Sequence, residues 1–194
     1  MCGCDRLKTM NTPTSSLQSP SSYDRRTIAF HWMSAFLVLA LWLLGQTIDW
    51  FPRGTPRVTA RSLHIVVGAL LVVVVGLRLV WRFRGGTRLL PAESGWVGRA
   101  ASGVHHVLYL VLIATLVVGM ASAWVRGDNL FGLVHIPAFD PGNKALRHEV
   151  VEWHETLANG LLVLAAVHAV AALWHHFIRK DGVLRRMVPS SLPR

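Results

Sequence analysis

His154 and His168 stand fourteen residues apart in one apolar stretch near the C-terminus, within Trp153-His154-Glu155-Thr156-Leu157-Ala158-Asn159 and Val167-His168-Ala169. In a helix that interval is almost four turns, so both imidazoles point the same way, separated by roughly 21 Å along the axis. That distance is too long for one shared site and suits two sites at two depths. Imidazole can ligate a transition metal or carry a proton near neutral pH. In an apolar layer it is costly enough to count as a functional residue by default. The two histidines therefore need partners from facing elements, since helical bundles build cofactor sites from residues on opposed helices.

The elements that must supply those partners are membrane spans. The chain has 194 residues, 52% of them hydrophobic and 15% charged, with a mean hydropathy of +0.41, which is too apolar for an ordinary soluble domain. Four stretches are long enough to cross about 30 Å of hydrocarbon: Ile28 to Ile48, Ser62 to Val80, Val104 to Trp124 and Val151 to Phe177. The reading is an all-α, integral membrane four-helix bundle. Residues 25–189 form the transmembrane domain, preceded by a Ser, Thr and Pro-rich disordered tail over 1–24 and followed by a short tail over 190–194. Trp32, Trp50, Trp81, Trp124, Trp153 and Trp174 fall near the ends of these spans, as interfacial tryptophans do. Arg25-Arg26 before the first apolar run imitates a signal peptide, but the run is long and no small-residue cleavage site follows.

The excess of basic residues (Lys+Arg 20, Asp+Glu 10) would suggest nucleic acid in a soluble protein. Here it is read by side of the membrane. Fourteen of the twenty lie in the N-terminal tail, the second connection with its edges, and the C-terminal tail. Both termini are therefore expected in the cytoplasm, and no aromatic-interleaved basic patch points to nucleic acid. The other six, Arg53, Arg57, Arg61, Arg126, Lys144 and Arg147, share the outer connections with acids. Cys2 and Cys4 are the only cysteines, and their expected place in a reducing compartment argues against a disulfide. The chain lacks Cys-x-x-Cys-His, so any haem would be held without thioether bonds.

Depth now selects partners. His64 and His154 lie near the outer ends of their spans; His31 lies near the inner end of the first span, level with His168. The two cross-bundle pairs, His64 with His154 and His31 with His168, are stacked along the membrane normal. Paired neutral imidazoles in an apolar lining suit haem iron. Spacing alone also lets His175, seven residues beyond His168 and on nearly the same face, compete for the inner position. His176 points elsewhere, and His105, His106, His135 and His148 fall at span ends or in connections, where no ligand role is assigned. His154-Glu155-Thr156-Leu157-Ala158 lacks the second histidine of a zinc-protease helix. Arg78, Arg82 and Arg126 are candidates to meet haem propionates, with snorkelling as the plain alternative. Arg126 could also approach an outer electron donor.

His31-Trp32, Leu63-His64 with Gly68, His105 with Tyr109, the Trp153-to-Asn159 run, and His168, His175-His176, Lys180-Asp181 and Leu184-Arg185-Arg186-Met187-Val188-Pro189 together resemble the bacterial cytochrome b561 family. The resemblance runs from about Tyr23 to Pro189. It implies a four-helix cytochrome of the bacterial inner (plasma) membrane with two haem b groups, His31 and His168 binding the inner one and His64 and His154 the outer one. It favours His168 over His175 as ligand, leaving His175 to hydrogen-bond a quinone carbonyl or relay a proton. Relatives include a superoxide:ubiquinone oxidoreductase. The implied activity is electron transfer from an outer-face donor, superoxide, to ubiquinone in the lipid bilayer, with His175 and Arg126 as candidate reaction-site residues. The alternatives are a general quinol-linked carrier, a cytochrome b subunit serving a partner redox protein such as a dehydrogenase or hydrogenase, and, in another class, a non-haem membrane scaffold or transporter.

Overall fold

The computed structural model describes residues 22–87, 89 and 95–188. Residues 1–21 of the expected 1–24 tail, with Cys2 and Cys4, and the expected C-terminal tail over 190–194 lie outside these described residues. Four long helices make up the fold: α1 (Arg25–Thr47), α2 (Thr55–Arg84), α3 (Gly95–Arg126) and α4 (Lys144–Trp174). All four are long and apolar enough to cross a membrane. Their outward faces carry large exposed apolar side chains, among them Phe36, Leu110, Val163 and Val170, as expected where lipid replaces water.

Each helix is longer than the apolar stretch within it. Hydropathy marks the part that matches hydrocarbon, whereas capping residues set the true ends. The Asp24 carboxylate accepts the Thr27 N–H at 2.9 Å and starts α1, and the Asn143 side chain does the same for α4 through Leu146 N–H at 2.9 Å. Pro56 sits in the first turn of α2, where a missing N–H costs nothing. α3 begins at Gly95, nine residues before the apolar stretch that starts at Val104. It ends at Gly127, where φ is +68° and a Cβ would meet the Ala138 Cβ at 2.7 Å, so only glycine fits.

Asp24 and Tyr23, assigned by sequence to the tail, are part of the fold. The Asp24 carboxylate also accepts from the Thr27 hydroxyl, the Trp81 indole and the Thr87 N–H, joining the start of α1 to the end of α2. Burial opposes its ionisation, but these hydrogen bonds outweigh burial and hold its pKa well below the usual carboxylate range. Tyr23 N–H donates to the Arg186 carbonyl and the Trp32 indole to the Met187 carbonyl, so a short 3-10 turn (Leu184–Met187) is folded back against the start of α1.

At the opposite end, the α3–α4 connection carries a small antiparallel hairpin, β1 (Asn129–Leu130) with β2 (Val134–His135), which helical periodicity does not reveal. The buried Ser62 hydroxyl pins it to α2, accepting from Phe131 N–H at 2.9 Å.

α1 packs chiefly on α2 and α3 chiefly on α4, with thinner contact between the two pairs. A seven-residue register runs along every helix: His31–Val38–Gly45 on α1, His64–Leu71–Arg78 on α2, Leu112–Gly119–Arg126 on α3 with His105 one step before it at an exposed position, and His154–Leu161–His168–His175 on α4. A seven-residue repeat keeps one seam facing inward along helices that supercoil around each other. The result is three layers. The middle one is the apolar core, with Leu71, Leu112 and Leu161 buried beside Leu37 and Leu41. The polar layers lie on either side, one toward the hairpin and one toward the chain termini.

Candidate functional site

In the hairpin-side layer, the rings of His64 and His154 face each other across the bundle with centroids 6.1 Å apart. Beside each histidine stands a glycine from another helix. A Cβ on Gly45 would lie 3.4 Å from the His64 ring, and one on Gly119 would lie 2.7 Å from the His154 ring. Around the pair is a cavity of about 570 Å³ lined by both histidines, both glycines, Leu41, Leu71, Leu112 and Leu161 and, at its mouth, Arg61 and Arg126. Its size falls within the range of cofactor and small-molecule pockets. His154 Nδ1 lies 3.2 Å from the Thr115 carbonyl, a contact that places the hydrogen on Nδ1 and leaves Nε2 free for a metal. Asn159, the last residue of the Trp153-to-Asn159 run, accepts the Trp42 indole N–H at 2.9 Å and ties α4 to α1.

Arg126 is not snorkelling freely at this mouth. It donates from Nε and Nη2 to the Asp128 carboxylate at 3.1 and 2.5 Å, while Arg61 approaches the other carboxylate oxygen at 3.7 Å. Asp128 is only 6% exposed. It thus fixes two guanidinium groups at the cavity rim, one carboxylate against two cations. By sequence Asp128 is one of the acids in the outer connections, and nothing in its spacing pairs it with Arg61.

In the terminal-side layer, His31 and His168 lie with ring centroids 6.5 Å apart. Arg78 joins them from α2, donating to Ser34 Oγ at 2.7 Å and to His31 Nδ1 at 3.2 Å, with its guanidinium over the Tyr109 ring at 5.1 Å. A second histidine also comes close: His105, ten residues into α3, has its ring 5.1 Å from that of His168. By hydropathy alone it falls at a span end. The signal was available, since His105 lies fourteen residues before Gly119 and seven before Leu112 in the same register. His105 and its neighbour His106 each bond back one turn, to the Ala101 and Ser102 carbonyls, both at 2.7 Å. His175 lies one register step beyond His168, in a π-helical turn (His175–Arg179) that closes α4.

Whether haem fits can be tested on the ring spacings. A first-row metal sits about 2 Å from an imidazole nitrogen, and that nitrogen is about 1 Å from its ring centre. Two imidazoles on opposite sides of one metal therefore have centroids about 6 Å apart. Both cross-bundle pairs meet this spacing, whereas His105 and His168 are too close for it. The hairpin-side pair also has its cavity and two glycine-sided slots for a flat macrocycle. On the terminal side, Arg78 can only donate, so its contact assigns an acceptor role to His31 Nδ1. Iron on Nε2 needs the hydrogen on Nδ1, and loading this pair requires the Arg78 contact to open.

The family model for prokaryotic cytochrome b561 matches residues 22–190. Among curated proteins, the chain is 30% identical to "Cytochrome b561 homolog 1" of Escherichia coli K12, over 86% of this chain and 97% of that protein. It is 32% identical to "Cytochrome b561 homolog 2" of the same organism, over 89% and 94%. It is 30% identical to the "Probable superoxide oxidase CybB" of Yersinia pestis, over 86% and 96%. The family implies b-type haem and a redox function, which removes the non-haem scaffold from consideration. With four helices fit to span a bilayer and a family match over nearly all of its length, the chain belongs to the prokaryotic cytochrome b561 family of multi-pass bacterial membrane electron carriers.

Proposed function

We propose that this protein holds two haem b groups and carries electrons from superoxide at its outer face to ubiquinone near its inner face. The carrying observation is the pair of histidine couples at 6.1 and 6.5 Å, stacked on either side of an apolar core. His64 and His154 hold the haem on the hairpin side; His31 and His168 hold the one on the terminal side. Haem supplies one-electron chemistry when bound. In this reading both termini are cytoplasmic, in line with the distribution of basic residues, and the hairpin side is the outer one.

The chain's own residues suit this direction. Arg126 and Arg61, held at the cavity mouth by Asp128, present net positive charge to a small anion, and a cleft lined by one sign of charge raises its local concentration. Two superoxide anions each lose one electron and leave as dioxygen; those two electrons and two cytoplasmic protons convert one quinone to quinol. His175, about 10 Å closer to the cytoplasm than His168, is placed to hydrogen-bond a quinone oxygen. The name of the Yersinia pestis relative points to the same donor.

Rapid mixing of the haem-loaded protein with superoxide, followed by a soluble ubiquinone analogue, tests the proposal. Fast haem reduction followed by quinone-dependent reoxidation is expected. No reduction on mixing with superoxide, but reduction by quinol, would replace this reading with that of a general quinol-linked carrier.

A further inference from the structure

The end of α4 holds a contact that neither the haem layers nor the membrane topology requires. His175 Nδ1 is hydrogen-bonded to the Asp181 carboxylate. Six residues along a regular helix are rotated by about 240°, so these side chains would ordinarily lie on different faces. They meet because α4 widens into the π-helical turn and then reverses at Lys180, whose φ of +55° is in the left-handed region. Single π turns of this kind occur often at functional positions, and a left-handed lysine is a local cost that surrounding contacts must hold. Asp181 Oδ1 in turn accepts the Val183 N–H at 3.2 Å, and Arg179 Nε lies 3.9 Å from Oδ2. Burial raises the Asp181 pKa, but the His175 and Val183 hydrogen bonds and the charges of His175 and Arg179 lower it further, leaving it below the usual range. Both side chains are about one-fifth exposed, so water can reach them.

We infer that Asp181 is a positioning residue for quinone reduction: its carboxylate fixes the hydrogen on His175 Nδ1 and directs Nε2 toward the quinone oxygen. The inference rests on the proposed quinone role of His175. A carboxylate behind an imidazole sets its tautomer and orientation and stabilises the imidazolium. Quinone reduction consumes two electrons and two protons. The oxygen nearest Nε2 takes its proton from the imidazolium, which is recharged from water on the cytoplasmic side, while the other oxygen takes its proton from that water directly. Asp181 forms no bond to substrate and gains or loses none in the cycle.

The test uses the haem-loaded protein, reduced with dithionite and mixed with a ubiquinone analogue bearing one isoprenoid unit. Asp181→Asn is expected to slow maximal reoxidation about tenfold, while quinone affinity, read from tryptophan quenching, and haem content stay within about twofold. Asp181→Glu, which keeps the carboxylate, should restore at least half the rate and separates positioning from a folding defect. In a His175→Gln background, Asp181→Asn should have no further effect, because contacting residues that act through one another are not additive. An unchanged rate in Asp181→Asn, a loss of affinity alone, or full additivity with His175→Gln would overturn the inference. If His175→Gln itself leaves reoxidation at the wild-type rate, the quinone role of His175 fails first. If His175→Gln slows it and Asp181→Asn does not, only the role of Asp181 fails.

Discussion

Gly119→Ala separates haem binding from folding, because one methyl group acts on the two in opposite directions. The added Cβ would lie 2.7 Å from His154 Cε1 and 3.1 Å from Nδ1. Carbon atoms rest about 3.5–4.0 Å apart, so the imidazole must retreat by about 0.8 Å or more. Metal–ligand distances tolerate only about ±0.2 Å, and overpacking costs about 1–3 kcal/mol, equivalent to about five- to 150-fold weaker retention of the haem proposed between His64 and His154. The helix itself should gain, since replacing glycine by alanine inside a helix contributes about 0.5–1 kcal/mol. The assay is the haem-to-protein ratio after purification in detergent, alongside helical content and thermal unfolding by circular dichroism. The ratio is expected to fall from two toward one with helicity unchanged. Gly160→Ala, where an added Cβ meets nothing within 4 Å, should keep both haems. A Gly119→Ala protein with two haems at unaltered midpoint potentials would refute the placement of haem against His154.

Three further outcomes follow from the same geometry. Arg126→Ala should slow haem reduction by superoxide about tenfold and flatten its dependence on ionic strength, because the rim loses the guanidinium that Asp128 holds; stopped-flow reduction at two salt concentrations reads this, with reoxidation by quinone as the unchanged control. His105→Leu should leave two haems in place, since its 5.1 Å spacing from His168 is too short to span a metal; loss of one haem would make His105 a ligand. Asp24 has a folded pKa below its unfolded value of about 3.9, so its contribution is present above pH 4 and is lost as pH falls below it. Asp24→Ala should therefore cost about 1 kcal/mol at neutral pH, the usual worth of a helix cap. The difference between variant and wild-type melting temperatures should shrink as pH falls below about 4.

The membrane architecture was legible because apolar stretches and tryptophan positions survive without any tertiary information. The two histidine couples were legible for a similar reason, since a fourteen-residue interval fixes both face and depth. Helix ends were not. Asp24, Pro56 and Asn143 start α1, α2 and α4 ahead of the apolar stretches that hydropathy detects, and α3 likewise starts at Gly95, nine residues before its apolar stretch, which puts His105 well inside the helix rather than at the edge of a span. The seven-residue ladders were present in the sequence, but Gly45 and Gly119 carry meaning only once an imidazole is seen packed against each. Asp128 and Asp181 escaped for a different reason. Their partners depend on chain reversals, one at Gly127 and one at Lys180, that no periodic pattern encodes.

Haem stoichiometry in single-histidine variants tests most directly whether two separate histidine couples hold two haems. A pyridine haemochrome assay of wild-type protein, His154→Ala and His168→Ala, expressed with ample haem, is expected to give ratios of two, one and one. The haem remaining in each variant should have a different midpoint potential. A wild-type ratio of one, or two haems retained in either variant, would contradict it.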